Sequence, residues 1–343
     1  MEEKRIREIY SLLGDNISKD IFGNRVLYSL TGDTKYIRNI VCTLEKSKEM
    51  YQQMKTSFQK KIIFGAGSVG RRLVYIYNDI QFECFADNHC SGQYYQGYPI
   101  IDICELKEKY PKELIIISTN QYHKEILQQL LEEGFQEENI INIGKEYEKL
   151  NYLQYFDLPQ LEDNRKEKEI FVDGGCFDGS TSLCFMNWCK KVNRRGYCYT
   201  WEPDPVNREK CIRVLENKGI EYQMIPKGLW SEYAEMNFKS SGGGSYISEN
   251  GDVHIIVDSM DQCIDIDIPV TFIKMDIEGA EYQAILGARN IISKYKPKLA
   301  ICVYHKLEDI WELPWLLHEI QPGYTFFLRH YSFSDVETVL YAL

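Results

Sequence analysis

Glu169-Ile170-Phe171-Val172-Asp173-Gly174-Gly175-Cys176-Phe177-Asp178-Gly179, followed by Tyr197-Cys198-Tyr199-Thr200-Trp201-Glu202-Pro203-Asp204, decides the fold. An apolar strand runs into a Gly-rich turn bearing an acid. A helix follows, and a second strand ends in another acid. In a parallel α/β sheet this order places a nucleoside at the carboxyl ends of the strands. Gly174, Gly175 and Gly179 let backbone approach a ligand closely. Glu202 lies 29 residues after Asp173, where a strand-end acid accepts hydrogen bonds from a ribose; the alternative is a solvated carboxylate.

The turn reads D-G-G-x-x-D-G, not the G-x-G-x-x-G of a pyrophosphate cradle. A phosphate wants positive potential and free N–H groups. Asp173 and Asp178 repel an anion and suit a ligand with an amino group and a sulfonium. S-adenosylmethionine has both.

The chain has 343 residues, room for two domains at roughly 150 each. An apolar fraction of 44% fills real cores. Net charge is −11, which argues against a general nucleic-acid grip, since phosphate binding needs a basic face. No apolar run approaches the ~20 residues that span a bilayer. The charged start Met1-Glu2-Glu3-Lys4-Arg5 lacks the apolar stretch of a signal peptide, so a cytoplasmic setting is expected. The 11 cysteines include no C-x-x-C pair and no finger spacing, so free thiols are expected and no metal is called for.

Residues 1–57 are polar and helical in pattern, and are expected to pack on the adjoining α/β unit. Residues 58–145 alternate strand and helix as a small Rossmann-like unit. Lys61-Ile62-Ile63-Phe64 leads into Gly65-Ala66-Gly67-Ser68-Val69-Gly70, a G-x-G-x-x-G in strand–turn–helix context. Asp87 follows Gly65 by 22 residues, near the ~20 that suits a ribose. Gly65, Gly67, Ser68, Gly70 and Asp87 are therefore a candidate second nucleotide site. Residues 146–168, rich in Glu, Lys, Asn and Asp, read as a linker. Residues 169–343 form a second α/β unit of seven strands ending in an antiparallel pair. An insert over 231–268 reads as a hairpin with a tip at Ser240-Ser241-Gly242-Gly243-Gly244-Ser245, expected to order over the acceptor site.

The second unit resembles the FkbM family of S-adenosylmethionine-dependent methyltransferases. The residues that carry this are Phe171-Val172-Asp173-Gly174-Gly175, Trp201-Glu202-Pro203, Gly228-Leu229-Trp230, Val257-Asp258-Ser259-Met260-Asp261 and Ile273-Lys274-Met275-Asp276-Ile277-Glu278-Gly279-Ala280-Glu281. The resemblance implies a class I methyltransferase sheet and methyl transfer to oxygen, often a sugar hydroxyl, with S-adenosylhomocysteine as product. The first unit resembles the small nucleotide-binding domain in front of some bacterial sugar-modifying transferases, on Phe85-Ala86-Asp87-Asn88 and Gly97-Tyr98-Pro99-Ile100. That implies a nucleotide-sugar or carrier-linked glycan as ligand; a homo-oligomer is left open.

The expected cofactor residues are Asp173, Gly174, Gly175, Asp178, Gly179, Glu202, Pro203, Asp204, Gly228 and Leu229. Pro203 and Asp204 would wall the adenine, with Asp204 as helix cap the alternative. Gly228 and Leu229 would line the adenine pocket. The expected catalytic residues are Asp276, Glu278, His305 and Lys274. Asp276 and His305 end neighbouring strands on one edge, and histidine is the usual base near neutral pH. Lys274 either pairs with Asp276 or Glu278, or snorkels to the sheet edge. Glu281 reads as ordinary first-turn helix chemistry. Asp276, Glu278 and His305 are also of the donor type that suits Mg or Mn, although strand-edge carboxylates are commoner without metal. Two other functions compete: an NAD(P)-dependent sugar-modifying oxidoreductase or epimerase using Gly65–Gly70, and a nucleotide-sugar-binding module that recruits substrate. No Tyr-x-x-x-Lys follows the glycine loop to serve the former.

Overall fold

The computed structural model describes residues 2–162, 167–191, 193–239, 246–247, 251 and 253–343. They form two compact units: Met1–Phe22 with Tyr155–Arg329 and Thr338–Leu343, and Gly23–Gln154 with His330–Glu337. The first 22 residues thus group with the second α/β unit, whereas the sequence pattern treats 1–57 as one helical segment. The reason is long-range pairing: Leu13 bridges to Phe326, and Asp15 pairs with Arg329 at 2.6 Å.

The unit containing residues 23–154 holds a six-stranded sheet. Its strands are β1 (Lys61–Phe64), β2 (Phe82–Ala86), β3 (Tyr94–Tyr95), β4 (Tyr98–Ile101), β5 (Leu114–Ile117) and β6 (Ile140–Asn142). The order is β3-β4-β2-β1-β5-β6. All pairs are parallel except β3–β4. Ile62, Ile63 and Phe64, with Ile115, Ile116 and Ile117, are buried without alternation, as strands covered on both faces must be.

The other unit carries seven strands around β7 (Lys168–Gly174): β8 (Arg195–Trp201), β9 (Tyr222–Ile225), β14 (Phe272–Met275), β15 (Lys298–Cys302), β16 (Phe326–His330) and β17 (Thr338–Ala342). The order is β16-β17-β15-β14-β7-β8-β9. β17 runs antiparallel to β15, while β15, β14, β7, β8 and β9 are parallel. This is the class I methyltransferase sheet expected from the sequence. Aromatic packing holds its centre, with Phe171 stacked on Phe185 at 4.4 Å.

Between β9 and β14 lie β10 (Gly228–Leu229), β11 (Ala234–Lys239), β12 (Tyr246–Ile247) and β13 (Val253–Asp258). β11 pairs antiparallel with β13 and with β12. The expected hairpin is therefore a small separate sheet, and its tip at 240–245 lies outside the described residues. No helix among the described residues is long and apolar enough to cross a membrane.

Candidate active site

Register lines up four strand ends of the seven-stranded sheet. Gly174 lies opposite Trp201 and Met275, and Met275 opposite Ile301. The turn after β7, Glu202, Asp276 and His305 therefore share one edge, where open α/β sheets bind ligands.

The turn is first of all a packing device. Gly175 has φ +73°, and a Cβ there would collide with the Asp276 carbonyl. Gly174 packs against Leu229 and Gly179 against Cys211 in the same way. Gly175 and Cys176 both donate to the Trp201 carbonyl at 3.1 Å. Asp178 accepts from the Ser180 amide at 2.9 Å, capping the helix Ser180–Lys191.

Asp173 and Lys274 are occupied differently from expectation. Asp173 is fully buried, accepting from Ser182 Oγ at 2.7 Å and facing Lys274 Nζ at 3.2 Å. Lys274 also donates to the carbonyls of Gly174 (3.1 Å) and Gly175 (2.8 Å). Two carbonyls and the Asp173 carboxylate thus surround its ammonium, so it neither snorkels nor pairs directly with Glu278. Burial pulls its pKa down, but the charges of Asp173 and Asp276 hold it above that of a free lysine. It fixes the turn, and Asp173 is its counter-ion.

Glu202 is 6% exposed. Its Oε2 accepts from the Phe177 amide at 3.0 Å and its Oε1 from the Asp204 amide at 3.0 Å. Burial pushes its pKa up to about 7, against the lowering pull of those two amides. Each oxygen retains a lone pair for a further donor. Asp204 takes the capping role: its Oδ1 accepts from Val206 (2.8 Å) and Asn207 (3.0 Å), opening the helix Pro205–Asn217. Pro203 and Gly228 are half-buried, whereas Leu229 is core.

Across the edge, Asp276 gathers Tyr155 Oη on Oδ2 and Tyr304 Oη on Oδ1, each at 3.1 Å. Burial raises its pKa, but Lys274 and His305 outweigh that and hold it low. His305 Nε2 stands 3.5 Å from Asp276 Oδ1 and 3.5 Å from Glu278 Oε2, while Nδ1 stands 3.0 Å from Glu281 Oε1. Burial lowers the pKa of His305, yet Glu281, Asp276 and Glu278 together lift it to about 9. The ring is an imidazolium at neutral pH, not a ready base. Glu278, at φ +55°, is pushed up by burial with His305 opposing. Asp276, Glu281 and His305 have the spacing of metal ligands. Each offers one ligand atom, and these atoms lie within 4.8 Å of one another.

Three further residues complete this cluster. Glu281 reaches back to His305 and accepts from the Ile277 amide at 2.9 Å, so its role exceeds helix-end electrostatics. Tyr304 adjoins His305. Tyr155, at φ +74°, comes from the linker and has no periodic signature.

In the other unit, Gly65 (φ +113°) turns the chain after β1, and Gly70 packs against its carbonyl. Gly67 and Ser68 open the helix Ser68–Ile76. Asp87 Oδ2 accepts from the Ala66 amide at 2.9 Å, and Oδ1 from His89 (2.9 Å) and Cys90 (3.1 Å). These amides hold its pKa low against the raising effect of burial.

Residues 57–141 match the family described as C2185-like, N-terminal, and residues 173–340 match the Methyltransferase FkbM domain. No curated protein matches the chain. Among solved structures it is similar to the methyltransferase FkbM from Methylobacillus flagellatus KT, at 20% identity and a TM-score of 0.50, covering 88% of this chain and 94% of that one. This likeness supports the fold. A SAM dependent methyltransferase from Aquifex aeolicus is also similar, at 14% identity and a TM-score of 0.32, over 58% of this chain and 96% of that one. The FkbM match spans the turn, Glu202, Asp276 and His305 together, and residues 173–340 belong to the FkbM methyltransferase family.

Proposed function

We propose that the seven-stranded unit transfers the methyl group of S-adenosylmethionine to a hydroxyl oxygen of a sugar, in a glycan or a nucleotide-linked sugar. Residues 169–343 are taken as the catalytic domain, 58–145 as a nucleotide-binding domain and 146–168 as their linker. The observation that carries this reading is one sheet edge with two acidic stations: Glu202 beside the glycine turn, and Asp276 with Glu278 and His305 two strands away.

The residues fit the cofactor. Glu202 is buried with lone pairs to spare, which suits the two ribose hydroxyls. Pro203 and Gly228 supply adenine walls. S-adenosylmethionine, when bound, supplies a methyl group already activated on a sulfonium, so the protein must align and deprotonate rather than provide a nucleophile.

Glu278 takes the hydroxyl proton: its raised pKa brings it nearer to neutrality than an ordinary glutamate. His305, charged and held through Glu281, orients the Asp276 and Glu278 carboxylates. Asp276, kept ionised, accepts the hydroxyl and fixes its direction.

The test is calorimetry with S-adenosylhomocysteine, followed by turnover on neutral glycans and nucleotide-sugars with mass detection of the methylated product. The reading expects binding, and methylation on a sugar oxygen. Absence of binding, or methyl groups found only on nitrogen or carbon, overturns it.

A further inference from the structure

The six-stranded sheet has a cavity of its own, of about 550 Å³, within the size range of small-ligand sites. It opens at the carboxyl ends of β1, β2 and β5. The strand order reverses there, with β2 on one side of β1 and β5 on the other, and such switch points are where parallel sheets receive ligands.

Its walls divide by chemistry. On one side is Gly67, where an added Cβ would meet nothing within 4 Å. Gly67 caps the helix Ser68–Ile76 without a side-chain hydrogen bond, so first-turn amides remain for an anion. Arg71 braces the loop from outside the cavity, its Nε donating to the Ala66 carbonyl at 2.8 Å and its guanidinium lying over the Tyr95 ring. On the second side is Asp87, with three backbone donors on its carboxylate and acceptor capacity for one more. On the third are Tyr122, 55% exposed, and the buried Ile126. An aromatic and an aliphatic side chain lining one wall suit a planar base. Ser118 locks the arrangement by sharing its one hydroxyl proton between the carbonyls of Phe64 (3.0 Å) and Gly65 (2.9 Å).

We infer that this cavity binds a nucleoside diphosphate: phosphate at the Gly67 end, one ribose hydroxyl on Asp87, and base against Tyr122. The inference rests on the reading of 58–145 as a nucleotide-binding domain and not on the methyltransferase reading, because every residue it uses lies within 64–126.

The experiment uses the full chain saturated with S-adenosylhomocysteine, so that adenosine-bearing ligands cannot report from the other site. ADP, UDP and NAD are titrated by calorimetry. At least one should bind with a Kd below ~1 mM, and Gly67→Leu, which places a side chain in the open cavity, should weaken it at least ~10-fold. Tyr122→Ala should weaken it several-fold, and is the second variant if Gly67→Leu unfolds. Preference among the three identifies the base and whether a second nucleoside is accepted. If none binds, or if both variants bind as the native chain does, the inference is wrong. Should the native protein fail to bind S-adenosylhomocysteine at all, only the methyltransferase reading falls, and the nucleotide titrations still decide this one.

Discussion

The two glycine turns, Gly65–Gly70 and Asp173–Gly179, are built to one plan and charged to opposite ends. In each, an acid ending the next strand accepts an amide of the turn: Asp87 from Ala66, Glu202 from Phe177. In each, the strand on the other side sends a donor to two successive carbonyls: Ser118 to Phe64 and Gly65, Lys274 to Gly174 and Gly175. One donor is a neutral hydroxyl. The other is a buried ammonium that needs Asp173 as counter-ion. One acid is satisfied by three amides and stays low, whereas the other is buried with two and rises to about 7. Topology fixes where a ligand can sit, and the desolvation of a few side chains then decides its charge.

The comparison breaks most visibly at the locking donor. Lys274→Met is predicted to destabilise the seven-stranded unit by about 3–5 kcal/mol, because Asp173 is left buried and unpaired. Chemical denaturation would read this, and a loss under about 1 kcal/mol would mean the ion pair is not the lock.

A second prediction concerns the imidazolium, which has no counterpart in the six-stranded unit's turn. A histidine raised from 6.5 to about 9 adds stability that is complete below pH 6.5 and is lost as pH rises through 9. The span is worth about 3 kcal/mol. Denaturation at pH 6.5 and 9 should show that decline in the native chain and a flatter response in His305→Gln. Equal slopes in both would sink the assignment.

Third, Glu202→Gln should weaken S-adenosylhomocysteine binding by about 1–3 kcal/mol, while Asp87→Asn leaves it alone. Ribose hydroxyls favour the ionised carboxylate, so native affinity should rise between pH 6 and 8, and the Gln variant should lose that rise. Calorimetry at the two pH values checks both arms. The smallest effect is expected from Ser118→Ala, about 1 kcal/mol for a neutral lock, measured by thermal unfolding. A loss as large as that of Lys274→Met would erase the distinction between the turns.

Much of this was legible in the sequence. Continuous apolar runs such as Ile62-Ile63-Phe64 and Ile115-Ile116-Ile117 mark buried parallel strands, and the spacing from Asp173 to Glu202 marks the edge. The partners of charged side chains were not legible. Lys274 lies opposite Asp173 only through the register of β14 on β7, which local sequence does not encode. His305 reads as a base until three carboxylates from the segment that follows β14 surround it. Tyr155 reaches Asp276 from 121 residues away through a left-handed backbone no periodicity announces. The strand-end acids announce themselves by position, but their protonation depends on burial.

The Asp173–Lys274 pair also bears on ionic strength. Its partners are 0% and 2% exposed, so mobile ions cannot come between them. Pairs such as Glu3–Arg7, each 79% exposed, sit in solvent, where about 0.15 M salt confines charge interactions to roughly 8 Å. Salt added to this acidic chain will therefore retune its surface and its self-repulsion, while the lock beneath the Asp173–Gly179 turn holds at unchanged strength.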